Sequence, residues 1–208
     1  MDAVAVLIPV FAIFIPALML PGPDFVGVVR SATTRGLRAG LWTTAGVMLG
    51  LGFYSSLSLI GLSAVLLEYQ WLAWAVRLLG GAYLCWLGIR LMLTRAQGIE
   101  IDGDRPNGNP LVFGILVTLT NPKAVVLFSS VFATAVTDTT PVWLLGLMVV
   151  IVMASAFVWY ALVTLFMVSG PVLAAIGRAR HWVERVAGAC FLLVGGRIMA
   201  DARNPLTP

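Results

Sequence analysis

Six long apolar stretches dominate this chain, and each is long enough, or nearly so, to cross a lipid bilayer. A helix that spans a bilayer needs about 20 mostly apolar residues. Backbone polar groups in lipid must be satisfied within the segment, so each stretch is interpreted as a helix. The sixth is the weakest, because Glu184, Arg185 and Arg197 interrupt it. The stretches run from about 4 to 29, 41 to 67, 71 to 93, 111 to 136, 142 to 168 and 182 to 200.

The balance of apolar and charged residues supports a membrane location. Of the 208 residues, 60% are hydrophobic and 11% are charged, whereas soluble domains are about half apolar and about a quarter charged. A soluble protein so poor in charge would expose large apolar patches. We therefore expect residues 1–208 to form a single transmembrane domain. The net charge of +4 comes without a basic face interleaved with aromatic residues, so no nucleic-acid partner is expected.

Arginine residues alternate between linkers in a way that predicts how the chain crosses the membrane. The linkers after the second and fourth stretches hold Glu68 and Asp138 but no basic residue. The positive-inside rule places arginine-bearing linkers in the cytoplasm, which gives six spans with both termini outside. A five-span topology with a re-entrant first segment is the alternative. The arginines of the other linkers are Arg30, Arg35 and Arg38, then Arg90, Arg95 and Arg105, then Arg178 and Arg180.

A polar linker at about 96–109 divides the chain into two three-span halves, at about 1–95 and 110–200. The third and sixth stretches carry the same residues at the same spacing. Because each half has three spans, a repeat must be inverted across the membrane, an arrangement in which transporters bind substrate near the midplane. The sequence therefore predicts two inverted three-helix repeats. The matched residues are Trp74, Arg77, Gly80, Leu84 and Gly88 in the third stretch and Trp182, Arg185, Gly188, Leu192 and Gly196 in the sixth.

Two proline-containing sequences break the first and fourth stretches. Pro21-Gly22-Pro23-Asp24 and Asn121-Pro122-Lys123 both place a helix-capping residue before a proline and a charge after it. Proline lacks an N–H and is favoured as the first residue of a helix. Each break should therefore begin a new half-helix, whose free N–H groups attract an anion such as a carboxylate. Irregular backbone at membrane depth is tolerated only inside protein or beside a water-filled cavity.

Asp24 and Lys123 are the charges that these breaks bring into the membrane, and Lys123 is the only lysine in the chain. A charge inside the membrane is a candidate functional site, and a lysine at a helix N-terminus needs an anionic partner. We expect the two to pair when the site is empty. A substrate would insert with its carboxylate toward Lys123 and its amino group toward Asp24, and proton uptake by Asp24 would follow the loss of its partner. A purely structural ion pair is the alternative.

Smaller side chains in the stretches suggest packing and a polar lining. Gly46 and Gly50 form a GxxxG pattern that favours close helix contact, and Cys85 and Cys190 are interpreted as small core residues. Hydroxyl groups could line a cavity, although in membrane helices they often bond their own backbone. The candidates are Ser55, Ser56, Thr118, Thr120, Ser155 and Tyr160.

The broken sequences resemble those of the LysE/RhtB family of amino-acid exporters. The first motif, at 21–24, is followed by Arg30, by residues 35–41 (RGLRAGL) and by Gly46, and residues 121–124 (NPKA) are similar to the family's second motif. The resemblance covers the length and span pattern of the whole chain. It implies efflux of a small amino acid or related metabolite by proton antiport across the bacterial inner membrane. It places the substrate site at Pro21, Gly22, Pro23, Asp24, Asn121, Pro122 and Lys123, with proton coupling at Asp24.

Where the family has a Pro-Gln stretch, this chain has residues 133–136 (ATAV), so the identity of the substrate does not follow from the resemblance. No Walker motif is present, and no nucleotide, metal or other cofactor is expected. The expected partners are an amino-acid-like substrate, protons and the lipid bilayer, and a homodimer is left open.

Three other functions fit the sequence less well. A metal exporter would need clustered His, Cys, Asp or Glu ligands, whereas the spans offer Asp24 and the peripheral Glu184. A membrane-embedded enzyme would need a nucleophile–base set or a metal site, and the single His181 lies beside Arg178 and Arg180 at an expected interface. A structural scaffold has no need of two charged helix breaks.

Overall fold

A computed structural model describes residues 3–68, 70–93, 108–121, 124, 127–128, 132, 140–167 and 170–201 of the chain. Within these residues all regular structure is helical, which confirms the predicted all-α class for this part of the chain. The helices are α1 (Ala3–Met19), α2 (Pro23–Arg35), α3 (Leu37–Glu68), α4 (Gln70–Leu93), α5 (Pro110–Leu119), α6 (Val142–Met167) and α7 (Gly170–Asp201). The described residues 124, 127–128 and 132 are also helical and continue the fourth stretch.

By length and composition, two of the described helices can cross a bilayer, at Leu37–Gly61 within α3 and at Val142–Phe166 within α6. Helices α1 and α2 together make a third candidate span, bent by 45° at the break between them. Leu78–Leu93 of α4 and Pro110–Leu119 of α5 are shorter apolar helices. The predicted first, second and fifth spans therefore have counterparts in the structure, and the count of six stays a prediction.

Several arginines that were expected in linkers lie inside helices. Helix α7 begins at Gly170, so Arg178 and Arg180 are part of it. Likewise, Arg30 lies within α2 and Arg90 in the last turn of α4. Arginine is a good helix former, and helices can continue past the apolar layer while long charged side chains reach the interface. These arginines therefore lie within helices rather than in separate linkers.

A single residue, Gly36, joins α2 to α3. Its φ of 86° lies in the region that glycine adopts without a steric penalty, and its N–H donates to the carbonyl of Ala32 at 3.0 Å. The helices are in close contact beside this turn. A Cβ on Gly40 would lie 2.8 Å from the Cβ of Ala32 and 2.6 Å from Cγ2 of Thr164 in α6. Helices α2, α3 and α6 are therefore tightly packed at this end of the bundle.

Helix α3 lies between α2, α5 and α6 and contacts all three. A Cβ on Gly46 would meet the backbone of Gly114 in α5, and a Cβ on Gly50 would lie 2.7 Å from the Cβ of Thr118. Because residue numbers rise together along the two helices, α3 and α5 run parallel. The GxxxG pattern of α3 thus serves close helix packing, as predicted.

Helices α4 and α7 cross in opposite directions through four glycines. A Cβ on Gly88 would lie 2.7 Å from the carbonyl oxygen of Gly188, and a Cβ on Gly195 would lie 2.7 Å from that of Gly81. The repeated motif had aligned Gly80 with Gly188 and Gly88 with Gly196. In the contact, Gly81 and Gly195 face the partner helix, whereas a Cβ on Gly196 would meet nothing within 4 Å. The free Cys85 lies in this contact, with its Sγ 2.8 Å from where a Gly195 Cβ would be.

We expect Gly188→Ala to lower the thermal stability of the purified protein, because its Cβ would lie 2.8 Å from the Gly88 carbonyl oxygen and must push the two backbones apart. Overpacking of this kind costs about 1–3 kcal/mol. Gly196→Ala is the matched control on the same helix, since its Cβ meets nothing within 4 Å. The control should be neutral or slightly stabilising, because alanine is favoured over glycine in helices by about 1 kcal/mol. Equal melting temperatures for the two variants in detergent would contradict this packing.

Candidate functional site

The first break separates α1 from α2 at Leu20, Pro21 and Gly22. Gly22 is extended, with φ −142° and ψ −169°, and Pro23 is the first residue of α2. The N–H of Val26 donates to the Gly22 carbonyl at 2.9 Å, which starts the helical ladder. The predicted half-helix therefore begins where the sequence placed it. Prolines at 21 and 23 have no N–H to donate, so the break costs fewer backbone hydrogen bonds than it would with other residues.

Asp24 lies in the first turn of α2 and is buried, with 7% of its surface exposed. The Thr118 hydroxyl donates to its Oδ1 at 3.0 Å, and the Asn121 side-chain amide donates to its Oδ2 at 3.0 Å. A buried carboxylate is costly unless it is hydrogen-bonded, and an acidic group at a helix N-terminus is stabilised by the helix dipole. Asp24 therefore joins the start of α2 to the end of α5.

The second break follows α5, which ends at Leu119. The N–H of Asn121 donates to the Thr118 carbonyl at 3.0 Å, and the N–H of Ala124 donates to the Asn121 carbonyl at 3.1 Å. A carbonyl at the helix end is bonded from α3, where the Tyr54 hydroxyl donates to Leu119 at 2.6 Å. Pro122 has no N–H to donate to the Thr118 carbonyl, but that carbonyl is already bonded by Asn121. It is the Thr118 side chain that serves the site.

Thr118 and Asn121 are brought to the same carboxylate by their spacing and by α3. Residues three apart near the end of a helix lie on the same side of it. On the opposite side, the missing side chain of Gly50 lets α3 approach Thr118 closely. Both donors are buried. The second break is therefore held on two sides, by Asp24 and by α3.

A small cavity of about 30 Å³ lies beside Asp24, which is room for roughly one or two water molecules. Tyr160 of α6 lines it and is 3% exposed, and it lies close enough to Asp24 for the two groups to interact electrostatically. The remaining wall is mostly apolar. The described lining residues are Phe14, Ala17, Leu18, Leu20, Gly22, Asp24, Leu51, Asn121, Ala124, Leu127, Phe128 and Tyr160.

The structure brings most of the predicted site residues together. Gly22, Asp24 and Asn121 meet at the cavity, and Pro21 and Pro23 shape the first break. Pro122 and Lys123 lie outside the described residues, so the predicted pairing of Asp24 with Lys123 stays a prediction.

Five of the six hydroxyl candidates, all except Ser56, divide into two groups. Thr118 and Tyr160 belong to the site, whereas three others donate to carbonyls of their own helices, as membrane hydroxyls often do. Those three are Ser55 to Gly52 at 2.9 Å, Thr120 to Leu116 at 2.8 Å and Ser155 to Ile151 at 2.6 Å.

Three contributors to the site were absent from the sequence analysis: Tyr54, Phe14 and Phe128. The sequence signal for the two phenylalanines is weak, since apolar aromatic residues are common in any membrane helix. Among the described residues, no three His, Cys, Asp or Glu side chains come close enough to hold a metal ion. The arrangement that the described residues do form is a carboxylate between two amide or hydroxyl donors, beside an apolar wall. It is suited to a small molecule with one cationic group and an apolar part.

Comparison with known families shows which family the chain belongs to. The sequence model of the LysE type translocators matches residues 15–202, which is most of the chain. The chain belongs to the LysE family. It is therefore a membrane transport protein, and both breaks, at 20–22 and after Leu119, lie within the matched region.

Relatives of this LysE-family chain match it over most of its length. The threonine efflux protein of Escherichia coli strain K12 is 29% identical over 188 residues, which cover 86% of this chain and 90% of that protein. An uncharacterized membrane protein of Haemophilus influenzae is 26% identical over 196 residues, or 91% of this chain and 93% of that protein. The leucine efflux protein of an Enterobacter species (strain 638) is 29% identical over 118 residues, or 55% of this chain and 56% of that protein. No solved structure matches the chain.

We expect Asn121→Asp to destabilise the protein strongly, because it places a second carboxylate 3.0 Å from Asp24 Oδ2, where the amide now donates. Two such groups cannot both stay ionised without cost, and an uncompensated buried charge costs about 3–5 kcal/mol. The exchange variant, Asp24→Asn with Asn121→Asp, restores one carboxylate and one amide and should recover most of the lost stability. The measurement is the melting temperature in detergent.

Asn109→Asp is the matched control for this exchange. Asn109 is exposed and caps α5 by accepting from the N–H of Leu111 at 2.9 Å, a role that aspartate fills equally well. It should melt like the parent protein. An exchange variant no more stable than Asn121→Asp alone would contradict the proposed contact between the two side chains.

Proposed function

We propose that this protein is a secondary exporter of a small neutral amino acid across the bacterial inner membrane, driven by protons that bind at Asp24. The observation that carries the proposal is the buried Asp24 carboxylate, held by Thr118 and Asn121 at the meeting point of two broken helices beside a small cavity. Family membership supports transport, and the relatives named threonine and leucine efflux proteins support a neutral amino acid as cargo.

The substrate's amino group would bind Asp24. A carboxylate can accept about four hydrogen bonds, so Asp24 can bind an ammonium group while it keeps Thr118 and Asn121. The substrate carboxylate would be directed to the N–H groups at the start of the second half-helix and to Lys123, as the sequence predicts. The apolar wall around Leu51 would receive the side chain. Substrate recognition by a cation site, an anion site and an apolar wall is what a free neutral amino acid requires.

The two donors on Asp24 respond differently when it takes up a proton. The Thr118 hydroxyl can either donate or accept, whereas the Asn121 amide nitrogen can only donate. A proton on Oδ1 can therefore be shared with Thr118, whose own hydrogen turns to another acceptor. A proton on Oδ2 would face the Asn121 donor and lose that bond. Oδ1, beside Thr118, is thus the favoured site of protonation, and this lets Asp24 change charge while it stays in place.

The directions of the described helices support the six-span topology with inverted halves. Asp24 and Gly27 of α2 lie against residues of α5 in reverse order, so α2 and α5 run antiparallel. Helices α3 and α5 run parallel, and α4 and α7 run antiparallel. These are the directions expected when each stretch crosses the membrane once.

In proteoliposomes, the protein should catalyse counterflow of labelled threonine or leucine, and a proton gradient should drive net transport. Asp24→Asn should abolish the gradient-driven flux, because the asparagine side chain neither takes up nor releases a proton. Thr118→Val keeps the shape but removes the hydroxyl, and should reduce gradient-driven flux by about tenfold or more, since a hydrogen bond to a charged group contributes about 1.5–3 kcal/mol.

Thr118→Ser is the matched control, because it keeps the hydroxyl and should retain most of the coupled flux. Gradient-driven transport by Asp24→Asn at the parental rate would refute the coupling role of Asp24. A broad panel of amino acids that shows neither counterflow nor protection of cells against toxic analogues would refute amino-acid export altogether.

The topology has its own test in cysteine accessibility. Single cysteines replacing Glu68, Glu100 or Asp138 in a background without Cys85 and Cys190 should react differently with an impermeant thiol reagent. Positions 68 and 138 should label from outside intact cells, and position 100 only after the cells are opened. Labelling of position 100 from outside would overturn the proposed orientation.

A further inference from the structure

Four phenylalanine rings contact one another in a row that joins the two broken segments. Phe11 and Phe14 belong to α1, and Phe128 and Phe132 belong to the helical residues of the fourth stretch. The ring centroids of Phe14 and Phe128 are 5.6 Å apart, those of Phe128 and Phe132 are also 5.6 Å apart, and those of Phe11 and Phe14 are 6.1 Å apart. These separations are those of rings in direct contact.

This row of rings lies on the side of the cavity away from α2. From its break, α2 runs back alongside α5, as the contact of Gly27 with Phe113 and Val117 shows. Helix α1 and the helical residues after the second break extend from the breaks in the other direction. In the proposed topology this direction leads to the outer face of the membrane. The inner side is closed by the tight packing of α2, α3 and α6 around Gly40, where the Thr44 and Thr164 hydroxyls also meet at 3.3 Å.

The four rings are not equivalent. Phe14 and Phe128 line the cavity beside Asp24, whereas the described lining does not include Phe11 or Phe132. Phe128 and Phe132 are both buried, with 1% and 0% of their surface exposed. They therefore share chemistry and burial, and they differ in whether the ring faces the cavity.

We propose that Phe14 and Phe128 form the barrier between the cavity and the outer face of the membrane, and that their rings limit the size of the side chain that the transporter accepts. The size limit rests on the proposed function, whereas the barrier does not. Both parts concern Phe14 and Phe128, which line the cavity but lie outside the two charged motifs at 21–24 and 121–123.

The dimensions of the cavity require that the rings move. A space of about 30 Å³ holds roughly one or two water molecules, so an amino acid fits only if part of the wall gives way. The rings of Phe14 and Phe128 are in contact, so no solute passes between them while the contact lasts. Phe14 and Phe128 belong to the same apolar wall as Leu51, so a substrate side chain too large for the cavity displaces these two rings, and one pair of residues acts on both passage and size.

Helix α1 is the element best able to move. It contains Pro9 and Pro16, and each removes a backbone N–H from the helical ladder, which makes bending easier. Pro16 lies between Phe14 and the break at Leu20–Gly22. A small change of angle at either place would carry Phe14 away from Phe128 and leave the Asp24 contacts on α2 intact.

The barrier is tested by thiol accessibility, which needs no substrate. Ala17 lines the cavity and is 3% exposed, so Ala17→Cys in a background lacking Cys85 and Cys190 reports on access from outside. Adding Phe128→Ala should raise the labelling rate with an impermeant reagent by roughly tenfold or more, equivalent to the loss of about 1.4 kcal/mol of ring contact. Phe132→Ala, the matched control, should label at nearly the parental rate.

The size limit is tested by counterflow of leucine relative to alanine. Phe14→Ala and Phe128→Ala should raise this ratio, and Phe132→Ala should leave it unchanged. If an alanine variant does not fold, Phe14→Leu and Phe128→Leu carry both comparisons, because leucine keeps most of the buried apolar volume.

Two results would overturn the inference. The barrier is refuted if Phe128→Ala is labelled as slowly as the parent. It is also refuted if Phe132→Ala raises the labelling rate as much as Phe128→Ala does. A leucine-to-alanine ratio that does not change removes the size limit. If the parent protein transports no amino acid, the proposed function and the size limit both fail, and the labelling rates still decide the barrier.

Discussion

A carboxylate enclosed by apolar helices has to be surrounded by hydrogen-bond donors, and the centre of this protein is arranged around that requirement. The Thr118 hydroxyl donates to one oxygen of Asp24, and the Asn121 amide donates to the other. The first turn of α2 supplies a favourable dipole from the other side. Asp24 lies directly after the first break, and Asn121 lies in the second. The two breaks are therefore parts of one contact.

Close packing by glycine supports this contact from behind. Gly46 and Gly50 let α3 approach α5 until it touches Thr118, and Tyr54 on the same helix bonds the carbonyl of Leu119. In a membrane there is little hydrophobic gain from bringing helices together, so backbone proximity and interhelical hydrogen bonds have to supply the attraction. The positions that hold Thr118 in place are thus small or polar for a physical reason, even though they never touch a substrate.

Much of this arrangement could be predicted from the sequence. The helical class, the first break and the burial of Asp24 follow from hydropathy, from the properties of proline and from the cost of a charge in lipid. What could not be predicted was which neighbours meet. Six hydroxyl groups were equivalent as cavity candidates, and only packing shows that Thr118 reaches Asp24 while Ser55 and Ser155 bond their own helices.

Which glycines meet between α4 and α7 could not be predicted for a similar reason. Each helix carries two adjacent glycines, at 80–81 and at 195–196, and neighbouring residues on a helix point in directions about 100° apart. The sequence repeat cannot tell which of the two faces the partner, whereas the backbone contact can. The early start of α7 was missed for another reason: hydropathy marks the part of a helix that lies in lipid, and a helix may continue in water without changing its hydrogen bonding.

The single-residue connection at Gly36 limits how the site can move. With one residue between them, α2 and α3 have no length of chain in which to slide past each other, and the Gly36 N–H bonded to Ala32 holds the turn closed. Asp24, at the far end of α2, is therefore mechanically tied to α3, the helix that also touches Thr118. Any tilt that carries the carboxylate toward one side of the membrane therefore moves α2 and α3 together, and the angle between α1 and α2 at Leu20–Gly22 has to change.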